Sequence, residues 1–186
     1  MRVAKTTVWY RERPWFLDTL RNDIRTYVRR AVNHGLGLAV RLNVFSDIAW
    51  EKHGIISEFP EVSFYDYTKD PRRAGQLARN YWVTFSRSET NHADCIQVLK
   101  SGGNVAVVFA DMSGNYTGNR SGLQGLPKTW QGFQVIDGDT TDLRFDDPRG
   151  RTRGKVVGLR LKAHSGAERQ GAIDSGFAAQ FKGESK

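Results

Sequence analysis

Five apolar runs along this chain each end in a small cluster of polar, chemically reactive residues. The runs are AVRLNVFSD (39–47), VSFYDYTK (62–69), WVTFSRSE (82–89), NVAVVFAD (104–111) and FQVIDGD (133–139). Nearly continuous apolar runs are typical of strands that are buried on both faces of a parallel sheet. The carboxyl ends of parallel strands meet at one edge of the sheet, where α/β folds assemble their sites. The pattern therefore predicts a parallel sheet with one shared site.

Helical signals lie between these runs. Pro14 opens a segment with apolar residues at helical spacing that ends before Gly35, and Asn91 is an N-cap for a second helix. A third helix is predicted to begin at Pro71. We therefore predict one α/β domain over residues 1–178, with residues 179–186 as a flexible tail.

The sheet is predicted to be mainly parallel, as a partial (βα) barrel or an open curved sheet. Both alternatives bury parallel strands on both faces, so the sequence does not separate them. The segments 143–145 and 156–161 are predicted to add a C-terminal antiparallel hairpin. An open sheet exposes an edge strand, which favours a homodimer or a protein partner.

Several function classes are excluded or disfavoured. No stretch among the 186 residues approaches the ~20 apolar residues of a membrane span, and no secretion signal follows Met1, so a cytoplasmic protein without membrane contact is expected. The single cysteine, Cys95, cannot form an internal disulfide or by itself hold zinc, and it is predicted to be buried in a helix. No P-loop or dinucleotide fingerprint is present, and no cofactor is predicted.

The net charge is positive, with 28 basic and 20 acidic residues. Six arginines form two groups: Arg21, Arg25 and Arg29 at four-residue spacing, and Arg149, Arg151 and Arg153 on a later turn. Arginine binds phosphate oxygens with its planar fork, so both groups are predicted to contact nucleic acid or another polyanion. The alternative is a solvated helix face that is partly neutralised by Asp18 and Asp23.

The polar clusters after the apolar runs supply the residues of the predicted site. Candidate acids, bases and nucleophiles are Asp47, Glu51, Asp66, Lys69, Ser86 and Glu89. Candidate ligand contacts are Arg41, Asn43, Asn91, Asp137, Asp139 and Arg144. No G-x-S-x-G elbow surrounds the serines, so a nucleophilic serine here requires a base placed by the fold.

The segment DGDTTD at 137–142 carries three carboxylates within six residues. That density suits a hard cation such as Mg²⁺. The alternative is a turn whose acids cap backbone N–H groups or pair with Arg144. We favour the turn and predict no metal site, because the sequence places no other acidic segment to complete the ligand shell.

Six blocks in matching order carry a resemblance to a known family. They are AKT (4–6), VRLNVFSDIAWE (40–51), FPEVSFYDYTK (59–69), NYWVTFSRSETN (80–91), GNVAVVF (103–109) and VIDGDTTDLRFDDPRG (135–150). The chain resembles, over about residues 3–178, phage and plasmid proteins described as gene product eighty-eight-like. Longer members carry a cysteine-rich N-terminal segment that this chain lacks, so a shortened paralogue or a fragment is expected. The resemblance implies a role in a mobile genetic element and implies no particular reaction.

Two functions follow from these observations. The first is an accessory protein of a phage or plasmid that binds nucleic acid, another polyanion, or a phage or host protein through its arginine-rich surface. The second is an enzyme that acts on a phosphate- or nucleotide-containing ligand at the carboxyl ends of the strands. The sequence leaves open whether the protein is an enzyme.

Overall fold

The computed structural model describes residues 2–112, 125–150 and 152–182, with side chains from residue 6 onward. Arg151 and residues 183–186 of the predicted tail lie outside these ranges. The helices are α1 (Arg2–Arg11), α2 (Arg13–Asn33), α3 (Ile55–Glu58), α4 (His92–Lys100) and α5 (Gly166–Asp174). The strands are β1 (Ala39–Val40), β2 (Ser63–Thr68), β3 (Gly75–Ala78), β4 (Tyr81–Ser86), β5 (Val105–Asp111), β6 (Thr129–Trp130), β7 (Phe133–Asp137), β8 (Val156–Arg160) and β9 (Ala179–Phe181).

Within the described ranges nine strands form one mainly parallel sheet, with the main order β1-β2-β4-β5-β8-β7-β6. Strand β3 lies antiparallel beside β4, and β9 lies parallel beside β5. Over the described residues the sheet stays open and does not close into a barrel. The predicted α/β class is confirmed, and of the two predicted architectures the structure has the open sheet.

The C-terminal part of the sheet differs from the prediction. Strand β8 pairs parallel with both β5 and β7, and residues 144–146 form a 3-10 turn where a strand was expected. The antiparallel hairpin of this region is formed instead by β6 and β7, through a turn at Gln131 and Gly132 that both have positive φ. Residues 143–145 alternate between apolar and polar, as in a strand with one exposed face. The polar residue, Arg144, is instead buried and donates to the Gly138 carbonyl, so the alternation does not mark a strand.

Two further segments differ from the sequence-based expectation. Pro71 opens a 3-10 turn that Asp70 caps, but the chain then turns at Gly75, with φ +125°, into β3 rather than continuing as a helix. Residues 179–181 of the predicted tail form β9, which pairs with β5 from Phe109 onward. Ala178 and Ala179 are buried there, so apolar packing orders this segment.

The core lies on both faces of the sheet. On α2 the predicted apolar stripe, centred on buried Ile24, packs with Trp9 and Trp50 against β2. Helix α4 buries Cys95, as predicted, together with Leu99, beneath β4 and β5. None of the described helices is long and apolar enough to cross a membrane.

The offset between β4 and β5 determines where a site can form. These strands pair only at Phe85 with Val105 and at Ser86 with Ala106, so β5 begins level with the end of β4. The surface of β5 and β8 therefore continues past the ends of β2 and β4. Loops that follow β1, β2 and β4 stand beside this exposed surface.

Candidate functional site

A cleft of about 690 Å³ opens where β2 and β4 end. Its floor is apolar. Ala106 and Val108 come from β5, Leu159 comes from β8, and Leu161 directly follows β8. Alternation along a strand directs Ala106 and Val108 to the same face. The walls carry the polar side chains Arg41, Asn43, Asp47, Lys69, Ser86, Arg87, Asp139, Thr141, Asp142, Arg160 and Lys162, with Phe45 and Phe177 at the rim.

The loop after β1 is organised by the buried amide of Asn43. Its Oδ1 accepts hydrogen bonds from the Ile48 N–H (3.1 Å), the Trp50 Nε1–H (3.0 Å) and the Ser46 hydroxyl (2.7 Å). Its Nδ2 donates to the Ile48 carbonyl at 2.9 Å. One asparagine thus closes residues 43–50 into a compact loop that forms the first wall of the cleft.

Asp66 lies beneath this loop and does not line the cleft. Its carboxylate is fully buried and accepts hydrogen bonds from the Asn43 backbone N–H (2.6 Å) and from the Tyr81 hydroxyl (2.9 Å). Burial raises the pKa of Asp66 to about 6, against the lowering effect of these hydrogen bonds. Asp66 therefore supports Asn43 rather than meeting a ligand.

Asp47 lines the cleft, but its charge is already compensated. It accepts hydrogen bonds from the Thr68 hydroxyl (2.8 Å) and the Lys69 backbone N–H (2.7 Å), and it forms an ion pair with Arg73. The same guanidinium pairs with Glu51 at 2.9 Å. Glu51 is held in that pair, outside the cleft lining.

Lys69 joins the end of β2 to the end of β4. Its Nζ lies 2.9 Å from the Ser86 carbonyl oxygen, 2.8 Å from the Arg87 carbonyl oxygen and 3.1 Å from the Ser86 Oγ. Among the described residues no carboxylate lies within ion-pair distance of this amine. Burial lowers the pKa of Lys69 because the charged form loses solvation.

The opposite wall consists of the loop after β7 and the end of β8. Arg160 pairs with Asp137 at 2.8 Å and with Asp139 at 3.1 Å, and Lys162 pairs with Asp139 at 3.2 Å. The hydrogen bond from Arg160 lowers the pKa of Asp137. Asp137 also accepts the Asp139 N–H at 3.0 Å, which is the capped turn that the sequence suggested.

Arg144 is not the partner of these two acids, although the sequence suggested that pairing. Its fully buried guanidinium donates to the Gly138 carbonyl at 2.9 Å and lies 3.2 Å from Asp147. It supports the turn from beneath and does not line the cleft. Within the described ranges no group of three or more His, Cys, Asp or Glu side chains is arranged to hold a metal ion.

Six of the predicted site residues line the cleft: Arg41, Asn43, Asp47, Lys69, Ser86 and Asp139. Six do not: Glu51, Asp66, Glu89, Asn91, Asp137 and Arg144. Asn91 instead closes the turn before α4, since its Oδ1 accepts the Ser88 N–H at 2.7 Å and its Nδ2 donates to the Ser86 carbonyl at 3.1 Å. Glu89 is exposed at that turn.

Sequence reasoning missed Arg87, Arg160 and Lys162 as cleft residues. The signal for the last two was present, because Arg160 ends β8 and Lys162 comes directly after the apolar run, much as Lys69 follows β2. They were overlooked because β8 was assigned to an antiparallel hairpin. Arg41, which was predicted, donates to the Asn43 carbonyl and lies 4.5 Å from the centre of the Tyr67 ring.

The two predicted arginine groups have different surroundings. Arg21 pairs with Glu58 at 2.7 Å and with Asp18 at 3.0 Å, whereas Arg25 and Arg29 are exposed and donate to Asn22 and Thr26. In the second group, Arg149 lies over the Trp82 ring and Arg153 over the Phe133 ring, and each also donates to a backbone carbonyl. Arg25 also lies 5.9 Å from the centre of the Phe59 ring, so among the described arginines of the two groups Arg29 has the fewest competing partners.

Comparisons with known proteins identify a family and no individual relative. A family model described as Gene product 88 matches residues 1–180. No curated protein and no solved structure matches the chain. The family match confirms the resemblance that the six sequence blocks indicated.

Proposed function

We propose that this chain, which belongs to the Gene product 88 family, binds a small phosphate-bearing ligand in the cleft. The observation that carries the proposal is an excess of positive charge on one side of the cleft. Arg41 and Arg87 line that side, and Asp47, its one carboxylate within the described part of the chain, is neutralised by Arg73 from outside the lining. Lys69 does not enter this count, because three protein acceptors surround its Nζ. Arg41 donates through Nε to the Asn43 carbonyl, and Arg87 through one terminal nitrogen to the Gly176 and Phe177 carbonyls, so neither charge is paired with a carboxylate there.

The surroundings of these arginines suit a phosphate group. A guanidinium presents parallel N–H donors that match phosphate oxygens, and salt screens a charge in a cleft less than an exposed one. The apolar floor of Ala106, Val108 and Leu159 offers a surface for an uncharged part of the same ligand. Ligands of open α/β sheets bind in the crevice beyond the carboxyl ends of the strands, which is where this cleft lies.

Calorimetric titration of the full chain with inorganic pyrophosphate tests the proposal. We expect binding that weakens as salt rises, and we expect Arg41→Gln to weaken it roughly tenfold through loss of a charge-assisted hydrogen bond. Arg79→Gln is the matched control, because Arg79 is exposed and lies outside the cleft lining. Absence of binding, or an equal loss in both variants, contradicts the proposal.

A second function, binding of nucleic acid through α2, is supported by a different observation. Arg25 and Arg29 are exposed and contact only neutral groups in the bonds described, Asn22 and the Phe59 ring for Arg25 and Thr26 for Arg29, so neither charge is paired with a carboxylate there. Gel-shift titrations with single- and double-stranded oligonucleotides test this function. The double variant Arg25→Gln/Arg29→Gln should bind more weakly and lower the slope of log affinity against log salt by about 2.

The matched control for that experiment is Arg72→Gln/Arg79→Gln, which removes the same charge from two other exposed positions. A general effect of net charge would weaken binding equally in both double variants. That result, or unchanged binding in Arg25→Gln/Arg29→Gln, removes α2 from the interface.

A further inference from the structure

Inside the cleft, the hydroxyl group of Ser86 lies within hydrogen-bond distance of the amine of Lys69. Ser86 is the last residue of β4 and pairs in register with Ala106, which belongs to the cleft floor. Its side chain therefore points into the cleft. The Oγ of Ser86 lies 3.1 Å from the Nζ of Lys69, which is hydrogen-bond distance for a base that receives the hydroxyl proton.

The Lys69 Nζ donates to three neighbours, the carbonyl oxygens of Ser86 and Arg87 and the Ser86 hydroxyl. A neutral amine has two N–H bonds and one lone pair. The carbonyl oxygens of Ser86 and Arg87, at 2.9 Å and 2.8 Å, accept the two N–H bonds. Once the amine has lost a proton, its lone pair is directed at the third neighbour, the Ser86 hydroxyl, and the direction of that hydrogen bond reverses. A protonated amine would instead use that hydroxyl only as an acceptor.

The surroundings of Lys69 shift its pKa in both directions. Burial and Arg87 lower the pKa of the amine, whereas Glu89, Cys95 and Asp47 raise it. Burial is the largest of these effects, and Asp47 is itself paired with Arg73. A desolvated lysine of this kind is a known activator of a nucleophile, and pairs of serine and lysine are one variant of the catalytic triad.

We propose that Ser86 and Lys69 form a nucleophile and general-base pair that hydrolyses small carboxylic esters entering the cleft. The proposal goes beyond phosphate binding and does not depend on it. It requires no G-x-S-x-G elbow, because the end of β4 presents the serine and the end of β2 presents the base.

The reaction balances with water as the only co-reactant. The Ser86 Oγ attacks the ester carbonyl carbon, and its proton passes to the Lys69 Nζ. The tetrahedral intermediate expels the alkoxide, which takes that proton from Lys69 and leaves as the alcohol. Water then attacks the acyl-serine and gives a proton to Lys69. The carboxylic acid departs as Ser86 recovers its proton from Lys69.

Stabilisation of the oxyanion falls to side chains of the cleft. The backbone N–H groups of Lys69, Arg87 and Ser88 donate to Asp47, Ala106 and Asn91 respectively. These three amides are therefore not available as an oxyanion hole. Arg41, on the same side of the cleft, is the cation that we assign to this role.

Labelling of the full chain with an alkyl fluorophosphonate tests the pair, with intact-mass and peptide-mapping readouts. We expect one phosphonyl group, on Ser86, and a labelling rate that rises with pH through an apparent pKa below the ordinary lysine value of about 10.4. Ser86→Ala should abolish labelling. Lys69→Arg, which keeps a cation but cannot act as base, should slow it by roughly 10²-fold or more. Ser57→Ala, at an exposed position on α3, should label like the wild type.

A second readout uses p-nitrophenyl acetate, for which we expect a burst of nitrophenolate equal to the protein concentration. Labelling at another residue, a wild-type chain that gives no label and no burst, or Lys69→Arg at the wild-type rate overturns the proposal. If Lys69→Arg does not unfold cooperatively, the pH dependence of wild-type labelling decides. If Lys69 only holds the ends of β2 and β4 together and is not a base, the labelling rate stays constant through the titration of the lysine. Pyrophosphate binding is measured separately, so either proposal can fail alone.

Discussion

Asp66 is the residue on which the first wall of the cleft depends. Its buried carboxylate accepts the backbone N–H of Asn43 at 2.6 Å, and the side chain of Asn43 in turn holds the Ile48 and Trp50 N–H groups. The fold thus places a carboxyl group in an apolar layer, where burial raises its pKa to about 6. Ionisation of Asp66 should therefore make the free energy of unfolding depend on pH.

We predict that Asp66 makes the free energy of unfolding fall as pH rises from about 4 to about 7. A carboxyl group whose folded-state pKa is raised above its ordinary value of 3.8 stabilises the fold below 3.8, and this contribution is lost through the folded-state pKa of about 6. The loss from this group is up to about 3 kcal/mol. Urea denaturation of wild type and Asp66→Asn across this range measures it, and the variant should lack this part of the slope.

The control for this prediction is Asp70→Asn. The hydrogen bond from Arg72 lowers the pKa of Asp70 to about 2, so its titration lies below the measured window and the variant should keep the wild-type slope. The half-buried His53, whose pKa burial lowers, titrates in both proteins and cancels in the difference. Parallel curves for wild type and Asp66→Asn contradict the assignment.

Elements of this fold are held in place by a few close contacts between loops. The 3-10 turn at Pro71–Arg73 reaches the 3-10 turn at Trp50–Lys52 through Arg73, whose side chain is 11% exposed and pairs with both Glu51 and Asp47. On the other side of β4, the segment that precedes β8 crosses the end of α4, where the Gly154 N–H donates to the Leu99 carbonyl at 2.8 Å.

Removal of the Arg73 guanidinium should loosen the first wall. We expect Arg73→Met to lower the free energy of unfolding by about 3 kcal/mol, the lower end for breaking a buried ion pair, because Asp47 is partly exposed. It should also weaken pyrophosphate binding, since Asp47 would then face the cleft with its charge uncompensated. Arg72→Met is the control, because that side chain is 87% exposed and solvent screens its pair with Asp70. Equal losses in the two variants, in urea denaturation, rule out the bridging role.

The crossing at Gly154 should tolerate no side chain. A Cβ at this position would lie 1.8 Å from the Gly103 carbonyl oxygen, so one of the two backbones must move. We expect Gly154→Ala to lower the free energy of unfolding by about 3 kcal/mol or more, at the top of the range for overpacking. Gly171→Ala, inside α5 with open space around it, should instead raise it by about 0.5–1 kcal/mol. Chemical denaturation of both variants makes the comparison, and a neutral Gly154→Ala contradicts the crossing.

For the whole molecule, the sequence predicted the parts of the fold that depend on local pattern. The apolar runs that became β2, β4, β5 and β7 are parallel strands, and the helical spacing around Ile24 packs against them. The offset of β5 against β4 could not be predicted, because register depends on packing between segments distant in the chain. For the same reason the sequence did not reveal that Arg73 forms an ion pair with Glu51. Nor did it reveal that Asp66 lies beneath the loop at residues 43–50, where it accepts the Asn43 N–H.

The cleft depends on the fold of the whole molecule, because each of its walls is held by a contact between segments that are distant in the chain. Its floor exists because β5 and β8 extend past β4, and its positive side exists because Arg73 neutralises Asp47. The position of a bound anion therefore reports on the register of the sheet and on the charge balance together.

The most direct measurement is the ¹⁵N–¹H spectrum of the full chain during titration with inorganic pyrophosphate. The cleft account predicts saturating shifts at the amides of Arg41, Phe45, Lys69 and Arg87, with smaller shifts across the cleft at Asp139 and Lys162. Amides around Arg25 and Arg29 on α2 should shift less, and without saturation, because their exposed charges form no enclosed site for a small anion. Shifts confined to α2, or no saturating shift at any cleft residue, would contradict the account.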